Sequence, residues 1–414
     1  MNEAFLHYIW QYQNFSIPTL STTDGEALTI HRTGYHNKDA GPDFQEAQLE
    51  IGGIKWSGAV EIHVYGQDWF HHKHEEDPNY ENVILHVIWD EYVALNYADG
   101  RRVPTLILKG IVEESLIEKY LQLINNLELV PCASNLGKVN PLVIAQMKEV
   151  SLVERLHQKS EKAEVFFEQA AGDWEATTYY MLMSAFGFKV NQYAFERLSE
   201  LLPIQMIHKY DQQAQMVEAL FFGYAGLLDN DSSQLVQEEV SRNWKYLRHK
   251  HKIVDVLPAH LWKFLRLRPA NFPTVRIAQA SDVVQRVKKL FQRFVLEADY
   301  QALFNMLKGE EGTDVSSKLA LGDFSIRTLI LNVSPAMLTL YARKTDNYAY
   351  LDKALSLLEK ITYEDNKVTR MYKKIGFSLQ TAYDSQALLQ LYSSYCLPKQ
   401  CLNCKIGLSI LKCN

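Results

Sequence analysis

Asp43, Glu61 and His63 are the residues of this chain whose types and spacing could do chemistry together. They lie in "HNKDAGPDFQEAQLEIGGIKWSGAVEIHV", residues 36–64. From Ile54 onward the even positions Ile54, Trp56, Val60, Ile62 and Val64 are apolar. The odd positions Lys55, Ser57, Glu61, His63 and Tyr65 are polar, so Glu61 and His63 project together from the polar face of a half-buried strand. A carboxylate and an imidazole so placed suit a divalent cation, with His63 as ligand or proton carrier. Asp43 reaches the same face only in one register. A strict two-residue turn at Gly52-Gly53 pairs it with Ile62, on the apolar side. One extra residue, taken up as a glycine bulge in a three-residue loop, pairs it with Glu61 or His63. The metal reading therefore predicts a bulge. The alternative is a solvated strand face beside a turn aspartate.

Three further groups could add to this chemistry. "DWFHHKH" puts His71 and His74 on one face of a short helix just after His63, where they could complete a metal shell; otherwise they are surface histidines. His86, inside the apolar run "VILHV", reads as a satisfied core histidine. "YCLPKQCLNCKIG" holds Cys396, Cys401 and Cys404 at C-x4-C-x2-C spacing. With Cys132 or Cys413 as fourth ligand they suit zinc or an iron–sulfur cluster, against buried unligated thiols. "LWKFLRLRPANFPTVRIAQ" combines Lys263, Arg266, Arg268 and Arg276 with Trp262, Phe264 and Phe272. Cations grip phosphates and aromatic rings stack on unpaired bases; an inter-helix connection with internally paired arginines is the alternative.

The elements that must position these groups divide in two. Phe5, Leu6, Ile9 and Trp10 give residues 2–13 a helical spacing, and Leu28–Leu108 reads as short strands interrupted by about two helical turns that end at Pro78. Asp99-Gly100 marks a hairpin turn before a last strand, "RVPTLILKG". From Glu113 the pattern is helical, with later helices centred on Tyr179, Val217, Trp262, Val287, Leu329, Leu357 and Leu388. The expectation is an α+β fold: an N-terminal mixed sheet with flanking helices over 1–131, then an all-helical domain over 132–414 that ends in the Cys-rich segment.

Bulk composition agrees with a folded chain. The 414 residues are 47% hydrophobic, with only 19 glycines and 12 prolines, which excludes disordered and fibrous classes. Five cysteines, an odd number, argue against a secreted disulfide framework. No signal peptide and no apolar run of membrane-spanning length is read, so a cytoplasmic protein without membrane contact is expected. The net charge of -6 conceals a split. Residues 1–132 hold 8 Lys/Arg against 20 Asp/Glu, a net of -12, and the remainder 35 against 29, a net of +6. Arg242–Arg293 alone has 13 basic residues and two acids. Such halves hint at a polyanion partner.

The order helix, strand, "GPD" at a strand start, hairpin, "VEIH", helix, "VILHV" strand resembles the PD-(D/E)XK nuclease core. That resemblance implies Mg²⁺ or Mn²⁺ held by Glu3 on the first helix, Asp43 and Glu61. The sequence departs from the motif at His63, where the superfamily has a lysine that positions water and offsets charge. Some nucleases of the superfamily close their core with one upstream and three downstream cysteines, the order of Cys132 and the terminal trio. Over both halves, "AGPDF", "GAVEIH", "DWFHHKH", "NVILHV", "RPANFPTVRIAQ" and "CLNCKIG" resemble an uncharacterised bacterial family, number 2851 among the domains of unknown function.

The expected function is a metal-dependent phosphodiesterase acting on nucleic acid, with Asp43, Glu61 and His63 as catalytic residues. The alternatives are a catalytically inactive module that binds nucleic acid or protein, and a zinc-dependent hydrolase of another substrate.

Overall fold

The computed structural model describes residues 1–97, 99–228, 238–309 and 320–412. Cys413 lies outside them. The chain forms two compact units, residues 1–147 with 392–414 and residues 148–391.

The first unit is α+β. Its strands are β1 (Leu20–Ser21), β2 (Ala27–Arg32), β3 (Tyr35–His36), β4 (Phe44–Ile51), β5 (Ile54–Tyr65), β6 (Val83–Asp90) and β7 (Thr105–Ile107). They form one mixed sheet in the order β1-β2-β4-β5-β6-β7, with β3 also paired to β4. The β4–β5 hairpin is antiparallel, while β5–β6 and β6–β7 are parallel. Parallel pairing needs a crossover, and helix α2 (Asp68–His71) followed by two 3₁₀ turns supplies it between β5 and β6. Helix α1 (Glu3–Gln11) is capped by the Asn2 side chain, which accepts from the Phe5 N–H, and buries Phe5, Leu6, Ile9 and Trp10. Both α1 and α2 pack on β5. The C-terminal half of that strand, Ala59–His63, is therefore buried on both faces, where the alternation predicted one solvated face. β6 is buried from Val83 to Ile88, as a strand with parallel neighbours should be.

The cysteine-rich end folds with this first unit, not with the helical region to which the sequence pattern attached it. Helix α3 (Glu114–Asn125) and the 3₁₀ segment Ala133–Lys138 both pack against the terminal helix Lys405–Lys412. Lys399 donates to the Ile124 carbonyl and the Lys405 N–H to the Met147 sulfur at 3.3 Å. The first unit also extends beyond residue 131, to Met147.

The second unit is helical. Its core joins residues such as Leu182, Phe186, Phe195, Leu220, Leu329 and Ile330, all without measurable exposure. Helix Trp174–Phe186 is buried from Thr177 to its end, the pattern of a helix surrounded on every side. Trp262 and Val287 do not centre helices. Trp262 follows a 3₁₀ turn and Val287 caps helix Pro273–Arg286. Pro258, Pro269 and Pro273 break the helical ladder here, each removing a donor N–H.

Candidate metal centre

The hairpin turn is tight. Ile51 pairs with Ile54, leaving Gly52 and Gly53 between them at φ 58° and 83°, values that a two-residue type I′ turn requires and glycine adopts at little cost. A strict ladder from that turn would set Asp43 against Ile62. The register instead shifts between Phe44 and Ala47, so that Phe44 pairs with Val60 and Ala47 with Gly58. The predicted extra residue thus exists, but as a bulge at Gln45–Glu46 with Glu46 at φ 57°, not in the glycine loop.

Past the bulge the two carboxylates interlock. The Asp43 N–H donates to Glu61 Oε2 at 3.0 Å, and the Ile62 N–H donates to Asp43 Oδ2 at 2.9 Å. Asp43 Oδ2 also lies 3.2 Å from His7 Nε2 on α1. Glu61 Oε1 lies 3.4 Å from His63 Nε2 and 3.3 Å from His74 Nε2. His7 Nε2 and His74 Nε2 are buried, and neither makes an aligned hydrogen bond among the described residues. Each of these nitrogens faces a carboxylate oxygen, His7 that of Asp43 and His74 that of Glu61. Glu3, the helix acid implied by the nuclease resemblance, faces the same place: its carboxyl is held above the usual range by burial and by the Asp43 charge. Glu61 is likewise raised, first by burial.

The histidines form a connected set. His63, His72 and His74 each offer a ligand atom within 4.8 Å of the other two. His63 Nε2 is 3.2 Å from His72 Nδ1, and His63 Nδ1 is 2.9 Å from His86 Nε2. His86 is thus a buried partner that fixes the His63 ring, a role its apolar surroundings did not suggest. Burial lowers His63 to about 2 and His86 to about 3, with neighbouring histidines adding to both effects. His63 is accordingly neutral near pH 7 and cannot stand in for a protonated lysine; it can ligate or orient.

His71 does not join the set. It is exposed and sits 3.4 Å from Asp68, whereas His72, also exposed, turns its Nδ1 to His63. The reason is local: α2 ends at His71, and Lys73 adopts φ 59°, so helical spacing does not carry from His71 to His74. Tyr80 closes the site by stacking on the His74 ring, with centroids 3.8 Å apart. Burial and the charges of Glu61 and Asp43 push its hydroxyl up to about 12.

Residues 3–367 match the family described as "Protein of unknown function (DUF2851)". The chain belongs to this family. No curated protein and no solved structure matches it. The family description carries no activity.

The cysteines make a second cluster in the same unit. Cys132, Cys396, Cys401 and Cys404 are all buried. The Cys132 thiol is raised by burial and by the proximity of Cys396, Cys404 and Cys401. Cys401 is pushed up to about 11 by burial and by Cys404. Cys404 is also raised by burial, against the opposing effect of the Gly407 and Ile406 N–H groups directed at its sulfur. A Cβ on Gly407 would meet the Cys401 carbonyl oxygen at 2.2 Å, so glycine is required for that knuckle to close. The four thiols are close enough to raise one another, yet among the described residues only His63, His72 and His74 bring three ligand atoms within 4.8 Å, so the sulfurs are near neighbours and not a closed ligand set.

The basic segment lies in the helical unit. Lys263, Arg266 and Arg268 are exposed. Arg276 is buried instead. It donates to Asn271, Gln279 and Ser325, and its guanidinium lies 4.4 Å from the Phe188 ring centroid. Its position on the first turns of helix Pro273–Arg286 aims it into the unit, where it ties segments together.

No described helix is long and apolar enough to cross a membrane.

Proposed function

We propose that the N-terminal unit is a divalent-metal-dependent phosphodiesterase acting on nucleic acid. The observation that carries the reading is the reciprocal pair made by the bulge, in which Asp43 and Glu61 bond to each other's strand with His7, His63 and His74 around them. The likeness to the PD-(D/E)XK core supports it, through the sequence helix, antiparallel strands, helix and parallel strand with the acids on the hairpin. Asp43 and Glu61 would hold Mg²⁺ or Mn²⁺, with Glu3 and His74 completing the shell. The bound ion would supply a water of lowered pKa and would stabilise the leaving oxygen. His63, neutral and fixed by His86, orients that water where the superfamily uses lysine. Tyr80 keeps the His74 ring in place. Exposed Lys263, Arg266 and Arg268 of the helical unit would contact nucleic-acid phosphates in their own right.

The test is cleavage of single- and double-stranded DNA and RNA with Mg²⁺, Mn²⁺ or Zn²⁺. Glu61→Gln should lower the rate at least about 10²-fold, the scale of losing a group that stabilises transition-state charge, while keeping the side-chain shape. His72→Ala should weaken metal binding about tenfold or more, and His71→Ala should leave it unchanged. Cleavage that survives Glu61→Gln removes the proposal. Metal binding without cleavage under any ion favours the inactive module. The set His63, His72 and His74 favours one other reading, a zinc hydrolase, which would show as Zn²⁺-specific activity on a substrate other than nucleic acid.

The four cysteines are proposed to hold zinc or an iron–sulfur cluster as a structural centre. Elemental analysis of the purified protein distinguishes the two. Cys404→Ser should release the metal and lower the stability of the first unit. Protein that carries neither zinc nor iron overturns this assignment.

A further inference from the structure

Helix Pro141–Gln169 carries Arg155, Gln158, Lys159 and Lys162. Their spacing of three, four and seven places them in one stripe along its surface. The stripe forms one wall of a cavity of about 460 Å³ inside the helical unit, closed by Ser184, Phe188, Lys189 and Gln192 and by Asn332 of helix Asp323–Thr345. Four cations line it, and no carboxylate does among the described residues. Two acids stand behind the wall. Glu196 accepts from Lys162 and from the Ser184 hydroxyl, and Glu364 accepts from Gln386, which in turn accepts from Arg155. Each acid is thus already engaged.

Lys159 is the deepest of the four. Its one hydrogen bond among the described residues goes to the Asn332 amide oxygen at 3.1 Å, and it makes no ion pair with a described carboxylate. An ammonium has three donors, so two are without a partner among the described residues on a side chain that lines the cavity. An ammonium set away from water without a counterion is costly, and burial together with Arg155 lowers Lys159 to about 7, with Glu364 opposing. A bound anion would remove that cost. The opposite wall is apolar, made by Met181, Ala185 and Phe188. The volume lies in the range of small-ligand sites.

We propose that this cavity binds a phosphomonoester carrying a flat apolar body, such as a nucleotide or the 5′-phosphorylated end of a strand. Arg155, Lys159 and Lys162 take the phosphate, Lys189 stands at the mouth, Gln158 and Gln192 offer amide groups, and Phe188 faces the body. The proposal does not depend on the metal centre of the first unit.

The experiment is titration calorimetry of the full chain with inorganic phosphate, adenosine 5′-monophosphate, and an oligonucleotide with or without its 5′-phosphate. The nucleotide is expected to bind at least about tenfold more tightly than inorganic phosphate. Arg155→Gln or Lys159→Gln should then weaken it about 10- to 100-fold, the scale of one charge-assisted hydrogen bond. Lys189→Ala, an exposed change that leaves the packing intact, should weaken it several-fold and guards against misfolding of the buried variants. Lys159 should also be labelled by an amine-reactive anhydride at pH 7, and the nucleotide should protect it. Binding of the phosphorylated oligonucleotide alone would assign the site to strand ends. No binding of any phosphomonoester, or binding unchanged in all three variants, overturns the proposal.

Discussion

The sheet of the first unit and the cavity of the second answer the same electrostatic problem with opposite signs. In the first, Glu3, Asp43 and Glu61 gather near His63, which burial keeps neutral. In the second, Arg155, Lys159 and Lys162 converge on a cavity whose nearest acids already have partners. Each unit thus gathers like-charged side chains at one place, with Lys162 of the second already paired to Glu196. Such groups cost stability unless something of opposite charge arrives. Under the two proposals the acidic unit takes a cation and the basic unit an anion, each at its own site.

The widest test of that contrast is ligand-selective protection. Hydrogen exchange of the full chain should slow in residues 1–147 and 392–412 when Mn²⁺ is added, and in 148–391 when adenosine monophosphate is added. At a hundredfold excess over the dissociation constant, each ligand should stabilise its own unit by about 2.7 kcal/mol. Protection by either ligand in the wrong unit breaks the comparison.

The next effect is pH dependence of the metal-free protein. His63 and His86 have folded pKa values far below the ordinary 6.5. Below that value the unfolded chain takes protons that the folded chain does not, so the stability they contribute is present above pH 6.5 and is lost as pH falls. Each histidine can add up to about 1.4 kcal/mol per pH unit between roughly pH 6 and 4. Glu61, raised in the fold, works the other way and offsets part of the loss near its own titration. Denaturant titrations across this range should show a shallower slope for His86→Gln than for the parent. Equal slopes would mean that His86 charges freely in the fold. Helical-unit stability should not follow these histidines.

The smallest effect belongs to the bulge. Glu46 holds φ 57° without being glycine, a conformation that costs an L-residue about 1–2 kcal/mol. Glu46→Gly should therefore raise the stability of the first unit by about 1 kcal/mol or less, since glycine also frees the unfolded chain. Mn²⁺ affinity should not change. A drop in affinity would show that the Glu46 side chain does more than occupy the surplus position.

Much of the first unit was legible because strand alternation is a strong signal. Ile54–Tyr65 showed its two faces, and Gly52-Gly53 showed its turn. The demand that Asp43 meet Glu61 also required one surplus residue. Its position was not legible, because the residue that takes the positive φ is a glutamate and carries none of glycine's signal. His72 was missed for the same reason, at Lys73. The return of the cysteine segment to the sheet unit depends on packing across more than 250 residues of chain, which no local pattern encodes. The cation-lined cavity was hidden differently. Arg155, Lys159 and Lys162 carry no motif of their own, and Asn332 and Phe188, which close over them, are remote in sequence. The Arg242–Arg293 run drew attention by density, yet Arg276 within it is an internal tie.

Nine residues run from Asp43 to Ile51 and eight from Ile54 to Glu61. The bulge absorbs the difference, which means that the carboxylate pairing and the hairpin length are set independently. Over evolutionary time a one-residue deletion near Glu46 would regularise the β4–β5 ladder and still leave Asp43 opposite Glu61. An alignment gap at that position in a relative is then no sign that its acidic pair has been lost. A deletion of one residue from the partner strand has no such reserve to draw on, and would mark the lineages in which the pairing has come apart.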